Sequence, residues 1–166
     1  MSNRNQGFTL IELVTTLTIV AVVISIAVPA LSELIARERQ HALLTELWTA
    51  VQNARAIAVV QAETIELCGT NDAANCTSDW TNGWLVQRPA SQQVLNATLI
   101  PTIDQLRWKG LGKSIRFRSN GTTVNNGTFY QCHRQKVAWQ LKLSRQGRLR
   151  LTTQAENKQD NMLCTE

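Results

Sequence analysis

Two histidines, His41 and His133, and no C-x-x-C pair are all that this 166-residue chain sets aside for a transition metal. A structural zinc site takes four Cys or His ligands at close spacing, so the pattern argues against one, and no cofactor is expected. There is no serine elbow, no P-loop and no recognisable Cys–His motif, so no enzyme activity is expected. Only three prolines occur, with no Gly/Ser-rich or Pro-rich linker and no internal repeat, which leaves room for one globular domain rather than two. Two further absences are local. From Leu13 to Ser32, 20 residues, there is no charge, and from residue 105 to residue 155 there is no Asp or Glu.

The uncharged run has the length of a membrane span. A helix rises about 1.5 Å per residue, so 20 residues cover the ~30 Å hydrocarbon core of a bilayer. Glu12 sits at its edge, where an unpaired charge is costly and seeks a positive partner. The polar leader Met1–Gln6 ends at Gly7, before the apolar run. A secretory signal is cut after its apolar region and loses it. A cut after Gly7 would retain the run and create an α-amino group at Phe8 as a partner for Glu12. Arg4 is the leader's one charge, and it places the N-terminus in the cytoplasm and the remainder across the inner membrane, in the periplasm.

The stretch Gly7-Phe8-Thr9-Leu10-Ile11-Glu12-Leu13 resembles the N-terminus of type IV pilins and type II secretion pseudopilins. The resemblance implies that a prepilin peptidase cuts after Gly7 and that Phe8 is N-methylated. It implies that Glu12, fifth in the mature chain, guides assembly by pairing with a neighbouring subunit's amine. Pro29 lies where many pilins carry a helix-bending proline. The organisation expected is a leader over 1–7, a transmembrane or filament-core segment over 8–30 and a periplasmic head over 31–166. Other pilins are then expected partners, and the assembled pilus the final location.

In the periplasm, cysteines form lasting disulfides. The four here, Cys68, Cys76, Cys132 and Cys164, allow three pairings. The expected one joins Cys68 to Cys76 around a short Asn/Asp/Gly loop, leaving Cys132 to tie Cys164 and the C-terminal tail to the last sheet.

The fold class expected is α+β, a long N-terminal helix packed on an antiparallel β-sheet head. Pro29 kinks the helix without ending it. Leu31, Leu34, Ile35, Leu44, Leu47, Trp48, Val51, Ala54 and Ala58 recur at three- and four-residue steps, which predicts a helix from about Phe8 to Val60 with one buried stripe. Strands are expected over 64–68, 85–87, 114–118 and 128–132, with turns at Trp80–Trp84, Asn120-Gly121 and Asn126-Gly127. No element is assigned between Ser91 and Asp104. Val137, Trp139, Leu141 and Leu143 share one strand face. Ser144-Arg145-Gln146-Gly147 fits a type I turn completed by a left-handed glycine. That turn pairs Leu141 with Leu151, Lys142 with Arg150 and Leu143 with Leu149, leucines on the core side and cations outward.

The net charge of +5 is unevenly spread: −4 over residues 1–104, +11 over 105–155 and −2 over 156–166. A block this one-sided points to a polyanion. Past the anchor, Phe117–Gly121, Gly127–Cys132 and Ser144–Arg150 resemble the GspH/FimT branch of the pilin superfamily. FimT-type minor pilins carry a G-R-x-R motif implicated in DNA binding during transformation, here Gly147, Arg148, Leu149 and Arg150. Arginines two apart on a strand point the same way, about 6.5–7 Å apart, close to the phosphate spacing of DNA. The expected ligand is double-stranded DNA, held by Arg148 and Arg150 with Arg145 and Lys142 in support and without base readout. The alternatives are a GspH-like pseudopilin of type II secretion and a minor pilin that only primes assembly. The plainer reading of the cations is solvated charge along a sheet edge.

Overall fold

The computed structural model describes residues 9–165. Gly7 and Phe8, and with them the expected cleavage and methylation positions, lie outside that range. Helix α1 spans Leu10–Val60 with Pro29 inside it. The chain divides into two compact units, one up to Glu38 and one over Arg39–Glu166.

Over its described residues the first unit is helical, its large apolar side chains are exposed, and it is long and apolar enough to cross a membrane. Five of its hydroxyls donate within the helix. Thr15, Thr16, Thr18, Ser25 and Ser32 donate to the carbonyls of Glu12, Leu13, Thr15, Val22 and Pro29 at 2.7–2.9 Å. Such back-bonding leaves none of these hydroxyl protons free in an apolar surrounding. At the start of α1 the Thr9 hydroxyl accepts from the Glu12 amide at 3.3 Å, so Glu12 also occupies the favourable third position of a capped helix.

In the second unit, α1 buries Leu43, Leu47, Val51, Ala54 and Ala58, one face at four- and three-residue steps. The stripe is shorter than expected. Leu31, Leu34 and Ile35 are exposed, and Leu44 and Trp48 are half-buried. Eight strands follow: β1 Ile65–Gly69, β2 Gly83–Arg88, β3 Gln93–Leu99, β4 Leu106–Gly110, β5 Ser114–Phe117, β6 Gly127–His133, β7 Lys136–Leu143 and β8 Leu149–Leu151. They form two four-stranded antiparallel sheets, ordered β3-β2-β1-β5 and β4-β6-β7-β8. Both contribute to one core with the helix face, where Trp80, Trp108 and Phe129 meet in tilted and edge-to-face contacts at centroid distances of 4.5–6.1 Å.

Several elements differ from the sequence reading. β3 lies in the unassigned segment; as an edge strand with no fully buried residue it has little hydrophobic alternation to display. Asn126-Gly127 is not a turn. Gly127 opens β6, where a Cβ would stand 2.6 Å from the Gly110 Cα and the Lys109 carbonyl, so glycine is required by close strand approach. A short helix α2, Gln154–Gln159, and a 3₁₀ turn, Asn161–Cys164, lie against β7 and bury Gln140 from the side opposite the core. The bonds Cys68–Cys76 and Cys132–Cys164 are both present.

One buried acid organises the first sheet. Glu66 on β1 faces Gln87 on β2 and Arg116 on β5. It accepts from Ser114 Oγ at 2.7 Å, Gln87 Nε2 at 2.9 Å and Arg116 Nε at 2.9 Å. Burial pushes its carboxyl up, but the hydrogen bonds from Ser114, Gln87 and Arg116 and the nearby guanidinium outweigh it and hold the group below the ordinary 4.5.

The β7–β8 hairpin is locked by a second interaction. Gly147 has φ +73° and Gly121 φ +74°. Each closes a turn, Gly147 donating to the Ser144 carbonyl at 2.9 Å and Gly121 to the Arg118 carbonyl at 2.8 Å. The turns abut. Thr123 N donates to the Arg145 carbonyl at 2.8 Å, and Arg55 of α1 donates through Nε to the Gly121 carbonyl at 3.0 Å. A Cβ at Gly147 would run into the Gly121 carbonyl oxygen and stand 3.0 Å from Arg55 Nε.

Two expectations follow. Gly147→Ala should destabilise the head by about 2 kcal/mol or more, through left-handed strain and the lost approach, read as a lower Tm; an unchanged Tm would refute the interlock. Glu66 has a lower pKa folded than unfolded, so its contribution is present above the ordinary carboxylate range and lost as pH falls through the folded value. Stability of the parent should decline from about pH 5 downward, and Glu66→Gln should flatten that decline in chemical-denaturation midpoints.

Candidate nucleic-acid interface

The hairpin register places the cations. Leu141 faces Leu151, Lys142 faces Arg150 and Leu143 faces Leu149, with Ser144 N donating to the Arg148 carbonyl at 3.0 Å. The expected register is the observed one. The leucine face, however, leaves the core at its end: Leu149 is half-buried and Leu151 is 47% exposed.

The register extends across the sheet. Lys109 faces Thr128, Thr128 faces Lys142 and Lys142 faces Arg150. These residues form one cross-strand row, with strands about 4.8 Å apart. In the next row Tyr130 and Gln140 are buried, whereas Lys109 and Arg150 are exposed and Thr128 and Lys142 partly so. A depression of about 480 Å³ lies at the hairpin end, lined by Lys142, Leu143, Ser144, Arg148, Leu149 and Arg150.

The cations in this depression are not equivalent. Arg150 gives Nη1 and Nη2 to the two carboxylate oxygens of Glu156, at 3.0 and 2.8 Å. Lys142 Nζ lies 3.7 Å from Glu156 and 3.9 Å from Asp160. Glu156 is held in place by a capping box: Thr153 N donates to it at 2.9 Å while the Thr153 hydroxyl accepts from Glu156 N at 3.3 Å. The Arg150 hydrogen bonds, then the Thr153 amide, lower the Glu156 carboxyl to about 2, and the same pairing raises Arg150. Among the described residues, the side chains of Arg148 and Arg145 have no ion-pair or hydrogen-bond partner, and both are exposed. Gly147 is buried and its open side faces Gly121 and Arg55, so it shapes the hairpin rather than offering backbone to a ligand.

Of the residues expected to contact DNA, Lys142, Arg148 and Arg150 line this depression, while Arg145 lies in the connecting turn outside its lining. The sequence reading did not foresee Glu156 and Asp160, although Thr153-x-x-Glu156 is a helix-start signature. Glu12 stands in the first turn of α1. Among the described residues no group of three His, Cys, Asp or Glu side chains comes together as a metal site.

Comparison with known proteins agrees with this architecture. Residues 44–147 match the family model described as Type II transport protein GspH, and residues 2–28 match the prokaryotic N-terminal methylation motif. Two crystal structures of the type IV minor pilin FimU from Pseudomonas aeruginosa strain PAO1 are similar to the chain. One, in space group P65, is 27% identical with a TM-score of 0.55, covering 69% of this chain and 94% of that one. The other, in P21, is 25% identical with a TM-score of 0.57, covering 72% and 92%. No curated protein matches. A long N-terminal helix with an antiparallel head, a methylation motif at its start and a family model spanning most of the head meet in one conclusion: this chain belongs to the GspH family, within the type IV pilin superfamily.

Proposed function

We propose that this chain is a minor type IV pilin that binds extracellular double-stranded DNA, without sequence preference, for uptake in natural transformation. The observation that carries the reading is the hairpin edge on which Arg148 stands exposed and unpaired beside Arg145, Lys142 and Arg150. Guanidinium forks bind phosphate oxygens through charge-assisted hydrogen bonds, and such contacts hold the backbone without reading bases. Gly147 contributes by fixing the turn. The protein is made with its head in the periplasm and its N-terminal helix in the inner membrane. Prepilin peptidase cuts between Gly7 and Phe8, Phe8 is methylated, and Glu12 pairs with a neighbouring amine as the subunit joins other pilins.

A second reading is favoured by one specific finding: the matching family model is described as a type II transport protein. On that reading the chain is a structural pseudopilin and its cations are solvated charge. A minor pilin that only primes assembly would present the same surface.

The DNA reading is tested with the full chain in neutral detergent, titrated with random-sequence duplex DNA over a salt series. Arg148→Gln should weaken binding and flatten the log–log salt slope by about 0.9, one phosphate contact. Wild-type slope and affinity in that variant would remove Arg148 from the site. A parent that binds no DNA at low salt would return the function to the pseudopilin. Processing is tested separately: intact mass from the native host should show a chain beginning at methylated Phe8, and a chain beginning at Met1 in assembled pili would overturn it.

A further inference from the structure

We infer that Glu156 is an internal stand-in for a phosphate group, and that helix α2 sets how tightly the basic hairpin holds DNA. The inference rests on the DNA reading above and concerns its regulation. Glu156 meets Arg150 through two parallel N–H···O bonds, at 2.8 and 3.0 Å, the fork geometry that a phosphate would use. The same carboxylate lies 3.7 Å from Lys142 Nζ, and the Asp160 carboxylate lies 3.9 Å from the same Nζ. Of the four cations assigned to the DNA contact, Arg150 and Lys142 are therefore already paired with carboxylates, while Arg145 and Arg148 are not. A phosphate can take the paired Nη1–H and Nη2–H edge of Arg150 only after Glu156 has let go, and one that approaches the Nε edge meets a guanidinium whose charge a carboxylate already offsets, so DNA binding there is an exchange of one anion for another or a weaker contact and not a simple gain. An exchange of this kind releases fewer condensed counterions and yields less affinity than contact with a free guanidinium.

The placement of α2 does not depend on Glu156 alone. Thr152 Oγ donates to Asn157 Oδ1 at 2.6 Å, Gln140 Nε2 donates to Asp160 Oδ2 at 3.1 Å, and Cys132–Cys164 holds the tail beyond it. Glutamine also completes a capping box at the position of Glu156. Glu156→Gln therefore removes the charge while keeping the cap, and it is a clean probe of the competition.

The experiment uses the full chain in neutral detergent with the same random-sequence duplex and salt series. Glu156→Gln should bind DNA several-fold more tightly than the parent. Its salt slope should be steeper by about 0.9, the one cation that Glu156 offset, since Asp160 stays beside Lys142. Most of that gain should vanish when Arg150→Gln is added. Asp160→Asn, which leaves the capping box untouched, should give a smaller gain in the same direction, and it carries the test if Glu156→Gln melts below the parent. Parent-like affinity and slope in both acidic variants, while Arg148→Gln still weakens binding, would overturn the inference and leave the DNA reading standing. Absence of binding in the parent and in both variants would overturn the two together.

Discussion

The burial of one helix face, Leu43 to Ala58, is the constraint on which the head depends. Leu43, Leu47, Val51, Ala54 and Ala58 are the surface against which strands of both sheets close into one core. Each large apolar side chain removed from water contributes about 1.5–3 kcal/mol, and the two alanines allow close approach where larger residues would hold the strands off. Toward the N-terminus the same helix changes character, and its large apolar side chains are exposed there. Its composition changes from uncharged to amphipathic near Glu33, where the first acid after Glu12 appears.

That helix also positions the basic hairpin. Arg55 lies on α1 next to the buried Ala54, reaches the Gly121 carbonyl and packs where a side chain on Gly147 would stand. Two left-handed glycines and one arginine therefore fix the turn from which Arg148 projects. The G-R-L-R sequence has a division of labour in this light. Gly147 belongs to the packing, Leu149 is half-buried at the core's edge, and Arg148 and Arg150 face outward with different electrostatic surroundings.

The hairpin was legible in the sequence because a three-residue connection with a left-handed glycine permits one register, and hydrophobic alternation agreed with it on both strands. The matching hairpin between β6 and β7 was not legible. It turns at Arg134-Gln135, both at positive φ (49° and 61°), in place of the Asn-Gly that would have announced it. β3 was missed because an edge strand need not alternate. The helix face was read too long because periodicity continues through Leu31, Leu34 and Ile35, where apolar residues serve the exposed segment and not the core. Glu66 shows the limit of local reading: its partners Gln87, Ser114 and Arg116 lie 21, 48 and 50 residues away, and only sheet order brings them together.

The same limit governs the charge block. Counting along the chain gives +11 without an acid from residue 105 to residue 155, as though every cation were available. In three dimensions, acids from outside the block reach into it. Glu66 takes Arg116 from one sheet, and Glu156 with Asp160 takes Arg150 and Lys142 from the other. What a polyanion meets is not the block's net charge but the remainder, concentrated where no carboxylate arrives. An exposed surface pair is worth little to folding stability, so the Arg150–Glu156 contact is a weak way to hold α2. As a competitor it is more consequential, because a carboxylate at the point of contact acts directly on a salt-dependent equilibrium. The acidic tail and the basic hairpin are adjacent in sequence and opposed in charge, and their contact decides how much of the hairpin's charge remains for anything else.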